Sequence, residues 1–171
     1  AIGVAYTDTG VTVDEFLQTT NPHVYAAGDV CLSQAFTHAA DASARAVIHN
    51  ALFFGRKRVP MSAIPRCTYT DPEVAHVGET PGAGTPVETY EVRWAEVDRA
   101  RTDGEHVGGV RIHARGARVV GGTIVGRDAG DLIGEVAVLV SQQVALSTLA
   151  GIVHPYPTRA DAIRRTGDLY N

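Results

Sequence analysis

A run of four largely apolar residues, Val24-Tyr25-Ala26-Ala27, stops abruptly at the pair Gly28-Asp29, and this junction constrains the chain more than any other stretch. An apolar run this short suits a strand buried on both faces of a sheet, so a buried strand is expected over Val24 to Ala27. In an open α/β sheet, ligands sit beyond the carboxyl ends of the strands. Glycine at such an end lets the backbone approach a ligand closely. A carboxylate only accepts hydrogen bonds, so Asp29 suits hydroxyl groups such as those of a sugar or ribityl chain. Behind the junction, Thr37 to Phe54 reads as a helix rich in alanine, with Gly55 placed to end it. So many small side chains allow tight packing against a sheet. Upstream, Val11-Thr12-Val13 alternates as a short strand would.

The composition changes after Arg56 to Pro60, a charged stretch that ends in proline and reads as a boundary between residues 1–58 and 59–171. Beyond it come strand-like runs at Ile64 to Thr70, Thr89 to Val97, His106 to Ala114 and Val119 to Val125. Polar or glycine-rich turns such as Gly82-Ala83-Gly84 and Arg115-Gly116 join them as hairpins require. Asp128 then opens a helix in which Leu132, Val136, Val140 and Val144 recur every four residues, with Ile133 and Leu139 beside them, a stripe for a core or an interface. Strands followed by helices read as α+β, in contrast to the α/β piece before them.

At 171 residues the chain can bury roughly 70% of its unfolded surface, enough for a real core. Its net charge of −4 argues against nucleic acid as a partner, and its one tight basic cluster, Arg56-Lys57-Arg58, reads as a solvated loop. No apolar run approaches the length of about 20 residues that spans a bilayer, so no membrane partner is expected. Cys31 and Cys67 lack C-x-x-C spacing and are expected to be unpaired thiols in a reducing, cytoplasmic compartment. His23, His49, His76, His106 and His113 have no metal-binding context and read as surface or satisfied core residues; no metal site is expected.

Three segments together carry a family resemblance. Thr19-Thr20-Asn21-Pro22-His23-Val24-Tyr25-Ala26-Ala27-Gly28-Asp29-Val30 resembles the second flavin-contacting motif of the FAD-dependent pyridine nucleotide-disulfide oxidoreductases. The segments Ile64 to Gly78 and His154-Pro155-Tyr156-Pro157-Thr158 follow at the distances that family would give. The resemblance spans nearly the whole chain but only the carboxyl-terminal part of such an enzyme. It implies an α/β remnant of an FAD-binding domain followed by an α+β dimerisation domain, an antiparallel sheet with helices on one face. Gly28 and Asp29 would contact FAD, as would Thr37 and His38, with Ala35 and Phe36 leading into them. The start of the helix would aim its free amides at the flavin. NAD(P)H would be the electron donor and a homodimer the assembly. No G-x-G-x-x-G follows a strand here, and the family's C-x4-C pair is not in these residues, so a fragment inactive by itself is expected.

In the family the terminal segment crosses to the partner subunit and sets a histidine, held by a glutamate five residues later, beside the redox disulfide. Laying Pro157-Thr158 on the family's Pro-Thr puts Tyr156 at the histidine position, Asp161 at the glutamate position and His154 two residues earlier. A phenol is a weak proton acceptor at neutral pH, and mercuric reductase also has tyrosine at this place. Tyr156, Asp161 and His154 are therefore the candidate catalytic residues of a mercuric reductase-like enzyme, whose acceptor would be Hg(II) or another non-disulfide oxidant. His154 is the alternative base. Asp161 also reads as part of a near capping box with Thr158, opening the last helix. Two other readings stand beside this one: a dihydrolipoamide- or glutathione-type disulfide reductase, and a non-enzymatic dimerisation module without cofactor.

Overall fold

The computed structural model describes residues 2–53, 55–82 and 86–170. Phe54, at the expected helix end, and Ala83 and Gly84, in an expected turn, lie outside the described residues. The chain forms two compact units, residues 1–61 and 62–171. The first holds a two-stranded hairpin, β1 (Tyr6–Thr7) and β2 (Gly10–Val11), and one long helix, α1 (Thr37–Leu52). Residues 24–27 are extended but half-buried, and only Tyr25 makes a bridge, to Gln18. The expected strand buried on both faces is not formed, because no second pairing partner for it exists among the described residues. The unit's buried apolar side chains are few, Leu17, Ala39 and Ala46, and polar contacts do much of the fixing. Asn50 is the chief one: its amide donates to the Phe16 and Lys57 carbonyls at 2.9 and 2.8 Å and accepts from the Lys57 amide at 2.7 Å.

The second unit is an antiparallel sheet with helices. In chain order it contains β3 (Arg66–Thr68), β4 (Glu73–Gly78), β5 (Glu88–Arg93), α2 (Asp98–Thr102), β6 (Gly109–Arg115), β7 (Arg118–Gly126), α3 (Ala129–Ser141), α4 (Leu146–Ala150) and α5 (Asp161–Asp168). The strands lie in the order β3-β4-β7-β6-β5, all neighbours antiparallel. β4 falls in a segment whose alternation is hidden by Pro72 and Glu73, and it was not among the strand-like runs. The expected strand to Val97 stops at Arg93, where Trp94–Glu96 turns into a 3-10 helix.

Alternation sorts the sheet into two faces. Ala75, Val77, Val92, Val110, Ile112 and Ile124 point to one side, where α3, α4 and α5 cover them with Ile133, Val136, Leu139, Leu146, Leu149 and Ile163. Each valine, leucine or isoleucine among them contributes roughly 1.5–3 kcal/mol by leaving water. The most buried line of α3 runs through Ile133, Val136 and Leu139; Leu132 and Val140 of the expected stripe pack partly buried beside it, and Val144 packs on the core from beyond the helix. Steps of three and four both return to one helix face, and burial here follows the shorter steps.

The opposite face carries a hydrogen-bonded row across four strands. Thr89 bonds His113 Nδ1 at 3.0 Å, His113 Nε2 meets Thr123 at 3.5 Å, Thr123 bonds His76 Nδ1 at 2.9 Å, and His76 Nε2 bonds the Gly78 carbonyl at 3.0 Å. A carbonyl only accepts, so His76 carries its proton on Nε2 and accepts from Thr123; the direction of the whole row follows back to Thr89. Both rings are satisfied core histidines, held neutral. Burial depresses His76, and burial with His76 and Arg111 nearby drives His113 down to about 4.

Candidate functional site

In the first unit, Gly28, Asp29 and Val30 form a single 3-10 turn. Gly28 has φ +72°, and a Cβ there would come within 3.1 Å of Ala40 Cβ on α1. Glycine supplies both the left-handed backbone and the close approach. The Gly28 amide donates to Ser43 Oγ at 2.9 Å, and that hydroxyl donates to the Ala40 carbonyl at 2.8 Å, so turn and helix are fastened together. Ser43 was missed in the sequence; a buried serine inside an alanine run was the available signal. Asp29 is exposed and its carboxylate has no partner among the described residues. α1 begins at Thr37 after an extended Phe36, and no side-chain cap bond forms there among the described residues. The Phe36 and His38 rings stack at 5.3 Å and 9°. Ala35, Thr37 and His38 are exposed, Phe36 half-buried. An acceptor carboxylate and an uncapped helix start, on two fastened elements, match a ligand that offers both hydroxyls and electronegative edges. Cys31, three residues after Gly28, is a half-buried thiol whose pKa burial raises, so it stays protonated.

In the second unit, residues 154–160 run without regular secondary structure before α5. Thr158 donates to the Pro155 carbonyl at 2.7 Å, and the cap of α5 is Ala160 with no side-chain bond. The expected capping box is absent because Thr158 is spent on its own loop.

Tyr156 is 73% exposed, and its hydroxyl donates to Asp98 Oδ2 at 2.7 Å. That bond and the carboxylate's charge raise the phenol's pKa. Asp161, placed by the alignment as the dyad's acid, instead accepts from Arg164 Nε at 2.9 Å. The structure thus joins Tyr156 to Asp98 and not to Asp161.

His154 is buried, with its side chain 7% exposed. Its Nδ1 faces the Ile152 carbonyl at 3.0 Å and its Nε2 faces Glu135 at 2.8 Å. The Ile152 carbonyl only accepts, so Nδ1 carries a proton, and Nε2 donates to the Glu135 carboxylate when the ring is protonated. Burial opposes that charge, but the Ile152 carbonyl, Glu135 and Asp161 outweigh it and raise the pKa above its usual value. Both ring nitrogens are thus engaged by partners within the chain. Asp98 and Glu135 were both missed in the sequence, since each lies far along the chain from its partner. Tyr156 stands at the edge of an open cleft of about 680 Å³ lined by Glu96, Asp98, Val153, Asp161 and Arg165 among others.

Comparison with known proteins places both units. Residues 64–166 match the dimerisation domain of the pyridine nucleotide-disulphide oxidoreductases, and residues 1–51 match the pyridine nucleotide-disulphide oxidoreductase domain that precedes it. The chain belongs to the pyridine nucleotide-disulphide oxidoreductase family. Within that family it is 32% identical over 170 residues to a mercuric reductase of Streptomyces lividans, covering 95% of this chain and 36% of that one. It is 33% identical over 162 residues to a dihydrolipoyl dehydrogenase of Chlorobaculum parvum, covering 90% and 34%. Among solved structures, LpdA from Mycobacterium tuberculosis superposes with a TM-score of 0.87 at 26% identity over 92% of this chain and 36% of its own. The HOCl-induced flavoprotein disulfide reductase RclA of Escherichia coli shares the fold, with a TM-score of 0.86 at 21% identity over 99% and 41%. The chain therefore spans about a third of the length of these curated relatives.

Proposed function

We propose that these residues are the carboxyl-terminal part of a homodimeric, cytoplasmic flavoprotein that passes electrons from NAD(P)H through FAD and a thiol pair to Hg(II) or another non-disulfide acceptor. The observation that carries the acceptor is Tyr156. It occupies the place where the family's resemblance puts a histidine, and its proton is committed to Asp98. Its oxygen lone pairs remain open to the cleft, and its raised pKa keeps it neutral. A neutral phenol oxygen suits a metal held by thiolates better than it suits proton exchange with a departing thiol. His154 supplies no substitute, because both of its ring nitrogens are turned to partners within the chain, the Ile152 carbonyl and Glu135.

The donor set on the first unit fits FAD. Asp29 would accept from a ribityl or ribose hydroxyl, and the opening amides of α1, at Thr37 and His38, would donate to an electronegative ring edge, with Ala35 and Phe36 leading into them. When bound, FAD supplies the two-electron relay between nicotinamide and thiols. Gly28 and Ser43 hold turn and helix in fixed register, so these groups need little reorganisation on binding.

The test is the full-length protein that carries these residues. A flavin band at about 450 nm is expected. The variant Tyr156→Phe should lose roughly tenfold or more in turnover with Hg(II) while NAD(P)H still reduces the flavin at the parent rate. Full turnover by Tyr156→Phe with every acceptor tried would overturn the reading. Efficient reduction of lipoamide or glutathione disulfide, unaffected by Tyr156→Phe, would point instead to the dihydrolipoyl dehydrogenase side, which relatives of equal identity represent.

A further inference from the structure

The segment that presents Tyr156 lacks helix or strand, so side-chain tethers must hold it. Upstream, the His154–Glu135 pair, with the imidazole side buried, fixes it to α3. Downstream, Arg159 is 10% exposed and reaches three carboxylates from three different places. Its guanidinium donates to Asp103 at the end of α2 (2.6 Å), to Glu105 in the loop before β6 (3.1 Å), and to Asp128 at the start of α3 (3.2 Å). Arg99 also bonds Asp103 at 2.9 Å and Arg127 pairs with Glu105 at 3.2 Å, so three cations balance three anions around one point. A planar fork that fills its donors this way sets the orientation of the chain on either side of it.

We infer that Arg159 is a positioning residue for Tyr156: its three-way clamp, together with the His154–Glu135 anchor, stretches residues 155–158 between two side-chain anchors and aims the phenol at Asp98 and the cleft. The inference rests on the role proposed for Tyr156. Removing Arg159 leaves three carboxylates facing two arginines, with Asp103 and Glu105 mostly buried, and that imbalance drives the tail away from the α2 loop. The Tyr156–Asp98 bond is then lost without any change to either residue.

The full-length flavoprotein, labelled with 3-fluorotyrosine, tests this. Tyr156→Phe identifies the Tyr156 fluorine line by its disappearance. In Arg159→Met that line should shift or broaden while the other tyrosine lines stay in place, and Arg159→Lys should give an intermediate shift. Acceptor turnover should fall about tenfold in Arg159→Met, within the range that small misplacements cost, with the KM for NAD(P)H unchanged. The double variant Tyr156→Phe/Arg159→Met should be no slower than Tyr156→Phe alone, since one acts through the other. A Tyr156 line unmoved in Arg159→Met, or additive losses in the double variant, would overturn the inference. If Arg159→Met fails to fold, Arg159→Lys carries the same comparison. If Tyr156→Phe keeps full turnover, the role proposed for the tyrosine falls, and the fluorine line alone still decides whether Arg159 aims it.

Discussion

Two glycines in helices show how differently the same residue is used. Gly167 lies inside α5, and a Cβ there would sit 2.6 Å from the Leu146 carbonyl oxygen and 2.7 Å from the Ala150 amide nitrogen. The backbone of α4 therefore crosses α5 in the space a side chain would fill. Gly134, exposed on α3, has nothing within 4 Å of its hypothetical Cβ. Replacing each by alanine should give opposite signs in thermal unfolding. Gly134→Ala should gain about 0.5–1 kcal/mol from helix propensity, while Gly167→Ala should lose about 1–3 kcal/mol, because overpacking against backbone outweighs the same gain. Gly167→Ala that melts at or above the parent temperature would mean α4 moves aside freely. Sequence gave no hint of the difference: Gly134 and Gly167 look alike until the crossing helix is in place. The same holds at the candidate site, where the family resemblance points to Tyr156 and His154 but not to Asp98 and Glu135, their hydrogen-bond partners.

At the scale of an element, the polar face of the sheet makes a pH prediction. The His113 pKa falls from its ordinary value of 6.5 to about 4 on folding, and His76 also falls. The unfolded chain therefore binds more protons than the native one between these values, so the row contributes stability that is complete above pH 6.5 and lost as pH falls toward 4. For His113 the loss is about 3 kcal/mol. Protonation would also reverse the Thr89 and Thr123 hydroxyls and add charge to a face that already carries Arg66, Arg93, Arg111 and Arg115, with Glu79 and Glu91 as its acids. His154 works the other way. Its raised pKa gives stability that is complete below pH 6.5 and lost as pH rises through the native value. Urea unfolding across pH should show both slopes, and His113→Gln should flatten the acid one while leaving the alkaline one. An acid slope unchanged in that variant would place the proton uptake elsewhere. The existence of β5, β6 and β7 was legible from alternation, yet which histidines would line up across them was not, because register is set by pairing between strands and not within any one of them.

At the scale of the molecule, nearly all of the apolar core belongs to residues 62–171, while residues 1–61 bury only a few small or isolated apolar side chains. Hydrogen exchange on this chain should find slow amides in β4, β6, β7 and α3 and fast ones through residues 2–61 outside α1. Equal protection in the two units would show that the first has a core of its own. The order of elements and the change from α/β to α+β composition could be read along the chain, because local propensity, hydrophobic spacing and turn residues are written in consecutive positions. So could the family, through motifs such as Ala26-Ala27-Gly28-Asp29 and Pro157-Thr158, which are contiguous. What the sequence could not decide is that residues 24–27 stay half-buried with a single bridge, that Asp98 accepts the Tyr156 hydrogen bond, and that Arg159 gathers Asp103, Glu105 and Asp128 around it. Those facts depend on which distant segments meet, and only the folded chain fixes the distances over which charge and hydrogen bonding act.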